Sequence, residues 1–397
     1  MIKKQETVLS LKSLVRKIVK VRGSRVKNEK HDLKKNPPII FSFFAGAGFL
    51  DLGFEEVGFE IGYVNEFHGP FLQAYKHARQ VMGIKSPSYG YFDGSITECL
   101  SGSRLNDLST FVLNAKESGR LVGFIGGPPC PDFSVGGKNR GQYGENGKLS
   151  KTYIDLICKQ KPDFFVFENV KGLYRTIRHR EFFDSLKAQL KKAGYTCTER
   201  LINSIEYGAP QDRERIILFG VLNCKNGDIE KFDWLKSTKY DAEDLQKYNW
   251  PEAQSIAKTR KKPANVPEQL TLQYWFDKNE VTKHANAGHQ FKPRAGLAKF
   301  EILDEGDVSK KSYKRLHRWR YSPTAAYGNN EVHIHPYLPR RISVAEALAI
   351  QSLPKEFELP PDMTLSNMFK TIGNGVPFLA AKGLAQTILD FLMEIKK

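Results

Sequence analysis

Short apolar runs alternate with longer amphipathic stretches from Ile39 onward, and this rhythm leaves few choices of fold. The apolar runs have the length of strands and are predicted at Ile39–Phe44, Glu60–Val64, Leu121–Ile125, Phe164–Phe167 and Ile216–Val221. The stretches between them have helical periodicity, with helices predicted at Phe49–Val57, Pro70–Val81, Ser150–Lys159 and Glu181–Ala193. Strands that alternate with helices favour an α/β domain with a mostly parallel sheet.

The rhythm divides the chain of 397 residues into four segments. Residues 1–36 are rich in Lys and Arg and are interpreted as a basic N-terminal extension. Residues 37–223 carry the alternating pattern, whereas residues 224–340 are basic, aromatic and rich in turns and are predicted to form a second, smaller domain. Residues 341–397 return to helical patterns: Ser343 and Glu346 form a capping box, and a last helix is expected from about Pro377.

The charge predicts a polyanionic partner. The chain has 61 Lys and Arg against 44 Asp and Glu, a net charge of +17. The excess is +9 in residues 1–36 (12 basic, 3 acidic) and +6 in residues 224–340 (21 basic, 15 acidic). Clustered cations of this kind are typical of nucleic-acid binding, although a solvated basic surface would have the same composition.

The remaining composition predicts a cytoplasmic protein that is not embedded in a membrane. The sequence contains no run of about 18 apolar residues, the length needed to cross a bilayer. Its five cysteines are odd in number and include no C-x-x-C pair, which argues against a disulfide scaffold or a zinc ribbon. A reducing compartment and a site without metal are therefore expected.

A glycine-containing turn follows the first predicted strand. Phe44-Ala45-Gly46-Ala47-Gly48 stands between a strand and a helix, where two glycines permit a tight turn and a close approach to a ligand. Glu66 comes twenty residues after Gly46, directly after the second strand, where a carboxylate can accept both hydroxyls of an adenosine ribose. A purely structural turn is the alternative interpretation of this motif taken alone.

A cysteine on a rigid bend is the candidate nucleophile. Cys130 follows the strand Leu121–Ile125 within Gly126-Gly127-Pro128-Pro129-Cys130-Pro131, so it is expected at the carboxyl edge of the sheet, where α/β proteins bind ligands. The glycine-rich residues 136–147 that follow are interpreted as a lid. An inert buried cysteine is the competing interpretation.

Three further polar groups are candidates for the same edge. Glu168 ends the strand Phe164–Phe167 among aromatic residues, where a raised pKa would suit a proton donor. Arg213 and Arg215 alternate along an extended segment and are expected on one face, where two guanidiniums could clamp an anion. Asn374 lies in a glycine-flanked turn before the last helix.

The order of these motifs resembles that of the bacterial DNA cytosine-5 methyltransferase family, of the restriction-modification type. Six segments carry the resemblance: Phe44-Ala45-Gly46-x-Gly48, Pro129-Cys130, Glu168-Asn169-Val170, Gln211-x-Arg213-x-Arg215, Arg341-Ile342-Ser343 with Gln351-Ser352-Leu353-Pro354, and Gly373-Asn374-Gly375-Val376-Pro377. The resemblance covers about residues 39–223 and 336–397, and it implies a Rossmann-like S-adenosylmethionine-dependent methyltransferase sheet. Residues 224–340 then correspond to the target-recognition domain of the family.

The resemblance also implies roles for individual residues. Cys130 would attack C6 of a flipped-out cytosine, Glu168 would hold the base and protonate N3, and Arg213 and Arg215 would position the base and the active-site loop. S-adenosylmethionine would be bound by Phe44, Ala45, Gly46, Gly48, Glu66, Phe67, Ser95, Ile96, Pro129, Leu149, Asn374 and Val376. The implied partners are double-stranded DNA, bound by a monomer, and a cognate restriction endonuclease.

Two departures from the family pattern stand at the site. Pro131 occupies a position that is usually Gln, and Gly94-Ser95-Ile96 replaces the usual Gly-Asp-Ile. Either Ser95 or Asp93 is therefore expected to contact the adenine. A tRNA cytosine-5 methyltransferase and a DNA-binding regulator without activity are the alternative functions.

Overall fold

A sheet of seven strands forms the centre of the computed structural model, which describes residues 36–129, 145–259, 261–293, 297–310, 312–324, 327 and 332–395. The strands are β1 (Ile39–Phe43), β2 (Glu60–Asn65), β3 (Tyr91–Phe92), β4 (Val122–Gly126), β5 (Phe164–Val170), β6 (Tyr195–Asn203) and β7 (Glu214–Leu222). Their order is β3-β2-β1-β4-β5-β7-β6, and β7 runs in the direction opposite to the other six strands. The predicted α/β fold with a mostly parallel sheet is confirmed.

Among the described residues, six helices lie between consecutive strands of this sheet. They are α1 (Phe49–Glu56), α2 (Gly69–Val81), α3 (Gly102–Glu117), α4 (Glu145–Gln160), α5 (Lys171–Arg175) and α6 (Ile177–Lys192). Residues 224–340 contain α7 (Asn226–Ile229), α8 (Ala242–Lys247), α9 (Leu272–Lys278) and α10 (Leu297–Ile302), with the short strands β8 (Lys314–Arg315) and β9 (His333–Ile334). The chain then forms α11 (Val344–Ile350), α12 (Leu365–Asn374) and α13 (Phe378–Ile395).

Two apolar layers bury the sheet on both faces. One layer packs Phe54 of α1 and Leu384 and Ile388 of α13 against the strands. The other packs side chains of α3, α4 and α6, including Val112 and Ile154, on the opposite face. Because β1 and β4 are buried along their whole length, their continuous apolar sequences are those expected of parallel strands covered on both sides.

The structure confirms the predicted start of α11 and the predicted end of α6. Ser343 accepts from the Glu346 N–H at 3.2 Å while the Glu346 carboxylate accepts from the Ser343 N–H at 2.8 Å, which is the predicted capping box at the start of α11. Gly194 follows α6 with a φ of 99°, as expected of a glycine after a helix.

One stretch among the described residues, Leu365–Ile395, is long and apolar enough to cross a membrane, and 61% of its 18-residue apolar window is buried within the protein. It consists of α12 and α13, and α13 lies against α1 and the sheet in the first apolar layer. A core helix explains its apolar character.

Candidate active site

The carboxyl ends of the central strands bring the sequence motifs together. Phe43 at the end of β1 pairs with Asn65 of β2 on one side and with Gly126 of β4 on the other. Gly126 in turn pairs with Phe167 of β5. The glycine turn, Glu66 and the segment through Pro129 therefore all leave the sheet at one edge, as predicted. Glu168 lies next to Phe167 at the same edge but is still within β5, paired with Ile217 of β7.

The turn after β1 is held in a conformation that favours glycine. Gly46 and Gly48 have φ values of 57° and 81°, and Phe44 also has a positive φ of 54°. The Gly48 N–H donates to the Ala45 carbonyl at 2.8 Å, and the Ala45 N–H donates to the Asn65 carbonyl at 3.2 Å. The turn is thus closed on itself and fixed to the neighbouring strand.

A buried arginine supports this turn from α2. Arg79 is 2% exposed and donates to the Gly48 carbonyl at 2.9 Å, to the Ala47 carbonyl at 3.3 Å and to the Glu55 carboxylate at 2.9 Å. A Cβ atom on Gly48 would lie 2.5 Å from Arg79 Nη1, so the guanidinium fits only because residue 48 is glycine.

The carboxylate of Glu66 faces the turn and accepts hydrogen bonds from the protein backbone. Its two oxygens accept from the backbone N–H groups of Gly46 and His68, both at 2.8 Å. Burial raises the pKa of Glu66 above its usual value, and these two hydrogen bonds act in the opposite direction. Each oxygen keeps a lone pair for a ligand hydroxyl. Phe67, the next residue, is 72% exposed and offers an open aromatic ring beside it.

The segment after β3 holds Ser95 as a helix cap. The Ser95 hydroxyl lies 2.8 Å from the Thr97 hydroxyl and caps a short 3₁₀ helix, Ile96–Leu100. Ile96 is buried and Asp93 is exposed. The Asn65 amide holds the segment against β2 through the Phe92 and Gly94 carbonyls, at 3.0 and 2.8 Å.

The C-terminal motif covers the turn from α12 and α13. Asn374 is exposed at the end of α12 and Val376 is buried. Thr371, one turn before Asn374, places its Oγ1 3.8 Å from the Cβ position of Gly46. Leu149 of α4 is half-buried at the margin of the second apolar layer.

Glu168 is a buried carboxylate paired with an arginine of the neighbouring strand. It is 6% exposed, and Arg215 Nε lies 2.9 Å from its Oε1. Burial raises the pKa of Glu168, while Arg215 and Arg213 act to lower it. The Cβ position of Gly127 lies 2.5 Å from Glu168 Oε2, so the segment that leads to Cys130 passes directly over this carboxylate.

Arg213 connects the sheet to the C-terminal motif. It is 1% exposed, and its Nη2 donates to the Gly373 carbonyl at 2.8 Å. Gln211 is buried beside Gln351, with 3.4 Å between its Nε2 and Gln351 Oε1. The two arginines therefore both act on Glu168 electrostatically, while Arg213 also fixes the end of α12.

Cys130 and residues 131–144 lie outside the described residues, so the predicted nucleophile and most of the predicted lid carry no structural description. Among the described cysteines, burial raises the pKa of Cys99 to about 11 and of Cys197 to about 12, and it also raises the pKa of Cys158 and Cys224. These four thiols stay protonated at neutral pH and are poorly suited to nucleophilic attack.

Comparison with known proteins decides the family, because residues 39–390 match the C-5 cytosine-specific DNA methylase model. The chain belongs to the C-5 cytosine-specific DNA methylase family. It is therefore a DNA cytosine-5 methyltransferase of the restriction-modification type, and the tRNA alternative is not favoured.

Relatives of this methyltransferase agree with the assignment. Type II methyltransferase M.NmeDI of Neisseria meningitidis serogroup C is 64% identical over 359 residues, which cover 90% of this chain and 85% of that protein. Type II methyltransferase M.FnuDI of Fusobacterium nucleatum is 28% identical over 369 residues, or 88% and 95% of the two chains.

Solved structures of low identity share the fold. A candidate DNA modification methyltransferase encoded within an E. coli prophage superposes with a TM-score of 0.62 at 20% identity, covering 89% of this chain and 99% of the other. The Dnmt2 methyltransferase of S. pombe superposes with a TM-score of 0.55 at 11% identity, covering 90% of this chain and 99% of the other.

The sequence analysis of the methyltransferase missed two polar residues of this region, Arg79 and Thr371. A charged residue in a helix normally reaches solvent, so the sequence does not indicate that Arg79 is buried. Its guanidinium occupies the space that a side chain at position 48 would fill. Thr371 stands three residues before the motif residue Asn374, and its place beside Gly46 follows from packing alone.

Proposed function

We propose that this edge of the sheet methylates C5 of a flipped-out cytosine with Cys130 as nucleophile and Glu168 as proton donor. The supporting observation is the position of Glu168: a buried carboxyl, 2.9 Å from Arg215 and directly against Gly127, three residues before Cys130. A nucleophile next to such a carboxyl can act on the same small ring as the carboxyl does.

The chemistry needs both groups because C5 of cytosine is a poor nucleophile. In the proposed route, the Cys130 thiolate forms a bond to C6, and the electron pair of the C5–C6 double bond moves to form a C4–C5 double bond. The electron pair released from the C4–N3 double bond takes a proton from Glu168 at N3, so C5 becomes the nucleophilic carbon of an enamine. C5 then takes the methyl group, and the rest of the donor leaves as a neutral thioether. A base removes the C5 proton, the electron pair of that bond re-forms the C5–C6 double bond and expels the Cys130 thiolate from C6, and N3 returns its proton to Glu168. Because the faces of a paired base are stacked within the duplex, the cytosine must swing out to be reached.

S-adenosylmethionine is the proposed methyl donor, and the residues of the turn fit it. When bound, it supplies an electrophilic methyl group on a sulfonium. Glu66 keeps lone pairs for ribose hydroxyls, and Phe67 offers an exposed ring for the adenine. Ile96 and Val376 are proposed apolar contacts, although each is largely buried, at 2% and 7% exposed. The other proposed contacts are Phe44, Ala45, Gly46, Gly48, Ser95, Pro129, Leu149 and Asn374. Since Ser95 is engaged as a cap, exposed Asp93 stays an alternative adenine contact.

Residues 224–340 are proposed to recognise the DNA site, with residues 37–223 and 341–397 forming the catalytic domain and residues 1–36 an appended arm. Exposed Lys258 and Lys261 suit contacts to phosphates, and Lys262 is also exposed but is paired with Glu268 at 2.8 Å. The protein is proposed to act as a monomer on double-stranded DNA in the cytoplasm, paired with a cognate restriction endonuclease.

The Cys130→Ser variant tests the proposed nucleophile. A serine hydroxyl is not ionised at neutral pH and adds to C6 far more slowly than a thiolate, so methyl transfer from radiolabelled S-adenosylmethionine to duplex DNA should be abolished while DNA binding is retained. Cys158→Ser, in α4, is the matched control and should keep activity. Methyl transfer by Cys130→Ser at a rate close to that of the unaltered protein would refute the assignment.

A further inference from the structure

Four ionisable side chains form a buried network behind the turn that follows β1. Asp51 and Glu55 lie four residues apart in α1, and Tyr75 and Arg79 lie four residues apart in α2, so each pair occupies one face of its helix. The two faces meet, because the Tyr75 hydroxyl donates to the Asp51 carboxylate at 3.0 Å and Arg79 donates to the Glu55 carboxylate at 2.9 Å. Asp51, Tyr75 and Arg79 are at most 2% exposed.

Stability alone does not account for this network. Placing a guanidinium in the interior of a protein costs solvation free energy, and apolar side chains of the same volume are often at least as stable as a buried ion pair. The pairing is also incomplete, because Arg79 Nε is buried with no hydrogen-bond partner among the described residues. Burial raises the pKa values of both Asp51 and Glu55, so the position is unfavourable for their carboxylates as well.

Arg79 extends the network to the turn itself. Its Nη2 donates to the Gly48 carbonyl at 2.9 Å and its Nη1 to the Ala47 carbonyl at 3.3 Å. The guanidinium lies 4.0 Å from the centroid of the Tyr75 ring, so its plane is supported from one side. Because the C=O and N–H groups of a peptide unit are fixed relative to each other, holding two consecutive carbonyls also fixes the orientation of both peptide units of the turn.

We propose that Arg79 is a positioning residue for the methyl donor, on which it acts only through the turn. This inference rests on the proposed function, in which Ala45, Gly46 and Gly48 contact the donor. Glycines lose more conformational freedom on ordering than other residues, and Gly46 and Gly48 both have positive φ values. A turn that Arg79 already holds in the binding conformation does not have to be ordered when the donor binds.

The double variant Arg79→Met/Glu55→Gln tests the proposal, because it removes both charges of the ion pair at similar volume and leaves neither partner unpaired. Calorimetric titration should show S-adenosylhomocysteine binding weakened roughly 5- to 30-fold, the effect of ordering one residue of backbone on binding. In methylation assays, KM for the donor should rise by a similar factor. The kcat at saturating donor and the affinity for duplex DNA should be retained, since the groups that contact the base are intact.

The matched control is Arg120→Met/Glu60→Gln, which removes a similar ion pair from the opposite edge of the sheet. Arg120 Nη1 lies 2.8 Å from the carboxylate of Glu60 at the start of β2, and Arg120 Nε donates to the Pro37 carbonyl at 2.8 Å. General loosening of the sheet would weaken donor binding in this variant too. Positioning by Arg79 would not, so we expect its affinity for S-adenosylhomocysteine to be unchanged.

The single variant Arg79→Lys separates charge from geometry. Lysine keeps the positive charge beside Glu55 and therefore the fold, but one ammonium group cannot replace the planar fork that holds both carbonyls. We expect its affinity for S-adenosylhomocysteine to lie between those of the unaltered protein and the double variant. If the double variant does not fold, Arg79→Lys alone decides, and unaltered affinity of this variant would overturn the proposal.

Three further results would overturn the proposal. Unaltered affinity of Arg79→Met/Glu55→Gln for S-adenosylhomocysteine would show that the turn keeps its conformation without Arg79. Equal losses in this variant and in Arg120→Met/Glu60→Gln would show a general effect of charge removal on the sheet. Failure of the unaltered protein to bind S-adenosylhomocysteine would refute the proposed cofactor site itself, and this inference with it.

Discussion

Glu168 experiences two opposing influences on a single carboxyl group. Burial raises its pKa above the usual value, while Arg215 at 2.9 Å and Arg213 favour the ionised form. The net direction is upward, so more of the acid form is present near neutral pH than for an ordinary glutamate. A proton donor to N3 needs that form, whereas base recognition alone does not.

Glu168→Gln separates the two roles, because glutamine keeps the shape and can still hydrogen-bond the base but cannot transfer a proton. We expect methyl transfer at saturating DNA to fall roughly 10²- to 10⁴-fold, the usual size of a general-acid contribution. The rate of the unaltered enzyme should decline as pH rises through the raised Glu168 pKa, since the acid form is then lost. The variant should lack that alkaline decline. Identical pH profiles for the two proteins would contradict the role.

The site residues that the sequence predicted are positioned by strands, whereas the residues that it did not predict are positioned by the packing of helices. Gly46 and Glu66 follow the ends of β1 and β2, and Glu168 lies near the end of β5. Because parallel strands end at a common edge, the convergence of these residues follows from the order of elements. Arg79 and Thr371 lie inside helices, and only the packing of α2 and α12 against the turn brings them to Gly48 and Gly46. A single sequence carries no periodic signal for such contacts.

At the scale of elements, apolar runs predicted β1, β2, β4, β5 and β7, and amphipathic periodicity predicted α1, α2, α4 and α6. The exceptions are at the edges. β3 has only two residues, and most side chains of β6 are half-buried, so neither has a strong apolar run. In α3, the buried residues are Leu108, Val112 and Ala115, a narrow stripe on a helix of sixteen residues.

Buried histidines are a property of residues 224–340 that the sequence did not predict. His317, His333 and His335 are each at most 3% exposed. Burial lowers their pKa values to about 4, about 3 and about 4 respectively. Each is neutral in the folded protein but would bind a proton below about pH 6.5 once unfolded. Their contribution to stability is therefore complete above pH 6.5 and is lost as the pH falls towards their folded pKa values.

The variant His333→Gln tests how a buried histidine affects the pH dependence of stability, because it removes the titratable imidazole from β9. Between pH 6.5 and 4.5, the free energy of unfolding of the unaltered protein should fall more steeply than that of the variant, by up to ~1.4 kcal/mol per pH unit. Urea unfolding followed by tryptophan fluorescence provides the measurement, since all four tryptophans lie in residues 224–340. Because the other titrating groups are common to both proteins, parallel pH dependences would contradict a buried neutral His333.

At the scale of the whole molecule, the cations of residues 224–340 divide into structural and available groups. The segment Lys310–Tyr321 mixes cations with aromatic side chains, a composition that predicts contacts to DNA, but Arg315 is 1% exposed and donates to the His335 carbonyl at 2.9 Å. Arg318 is bound by the buried Glu305 at 2.7 Å. The expectation is wrong for these two arginines, which hold the region together, because burial and carboxylate pairing remove them from solvent.

The exposed lysines of the described residues are therefore the candidates for phosphate contacts, and residues 1–36 add 12 of the 61 basic side chains of the chain. Affinity for duplex DNA falls with salt at a logarithmic slope of about 0.9 per neutralised phosphate. Deleting residues 1–36 should reduce that slope by several units and weaken binding to any sequence equally, because phosphate contacts carry no sequence information. The preference for the methylated site over random DNA should not change.

The triple variant Lys258→Gln/Lys261→Gln/Lys262→Gln should reduce the slope by up to about three units if these exposed lysines face the DNA. Lys191→Gln/Lys192→Gln, at the exposed end of α6, is the control and should leave it unchanged. Filter binding over a range of salt concentrations measures the slope for the triple variant and for the control. A slope that responds to Lys191 and Lys192 but not to the residue 258–262 cluster would place the DNA on the α6 side of the sheet and contradict the proposed recognition domain.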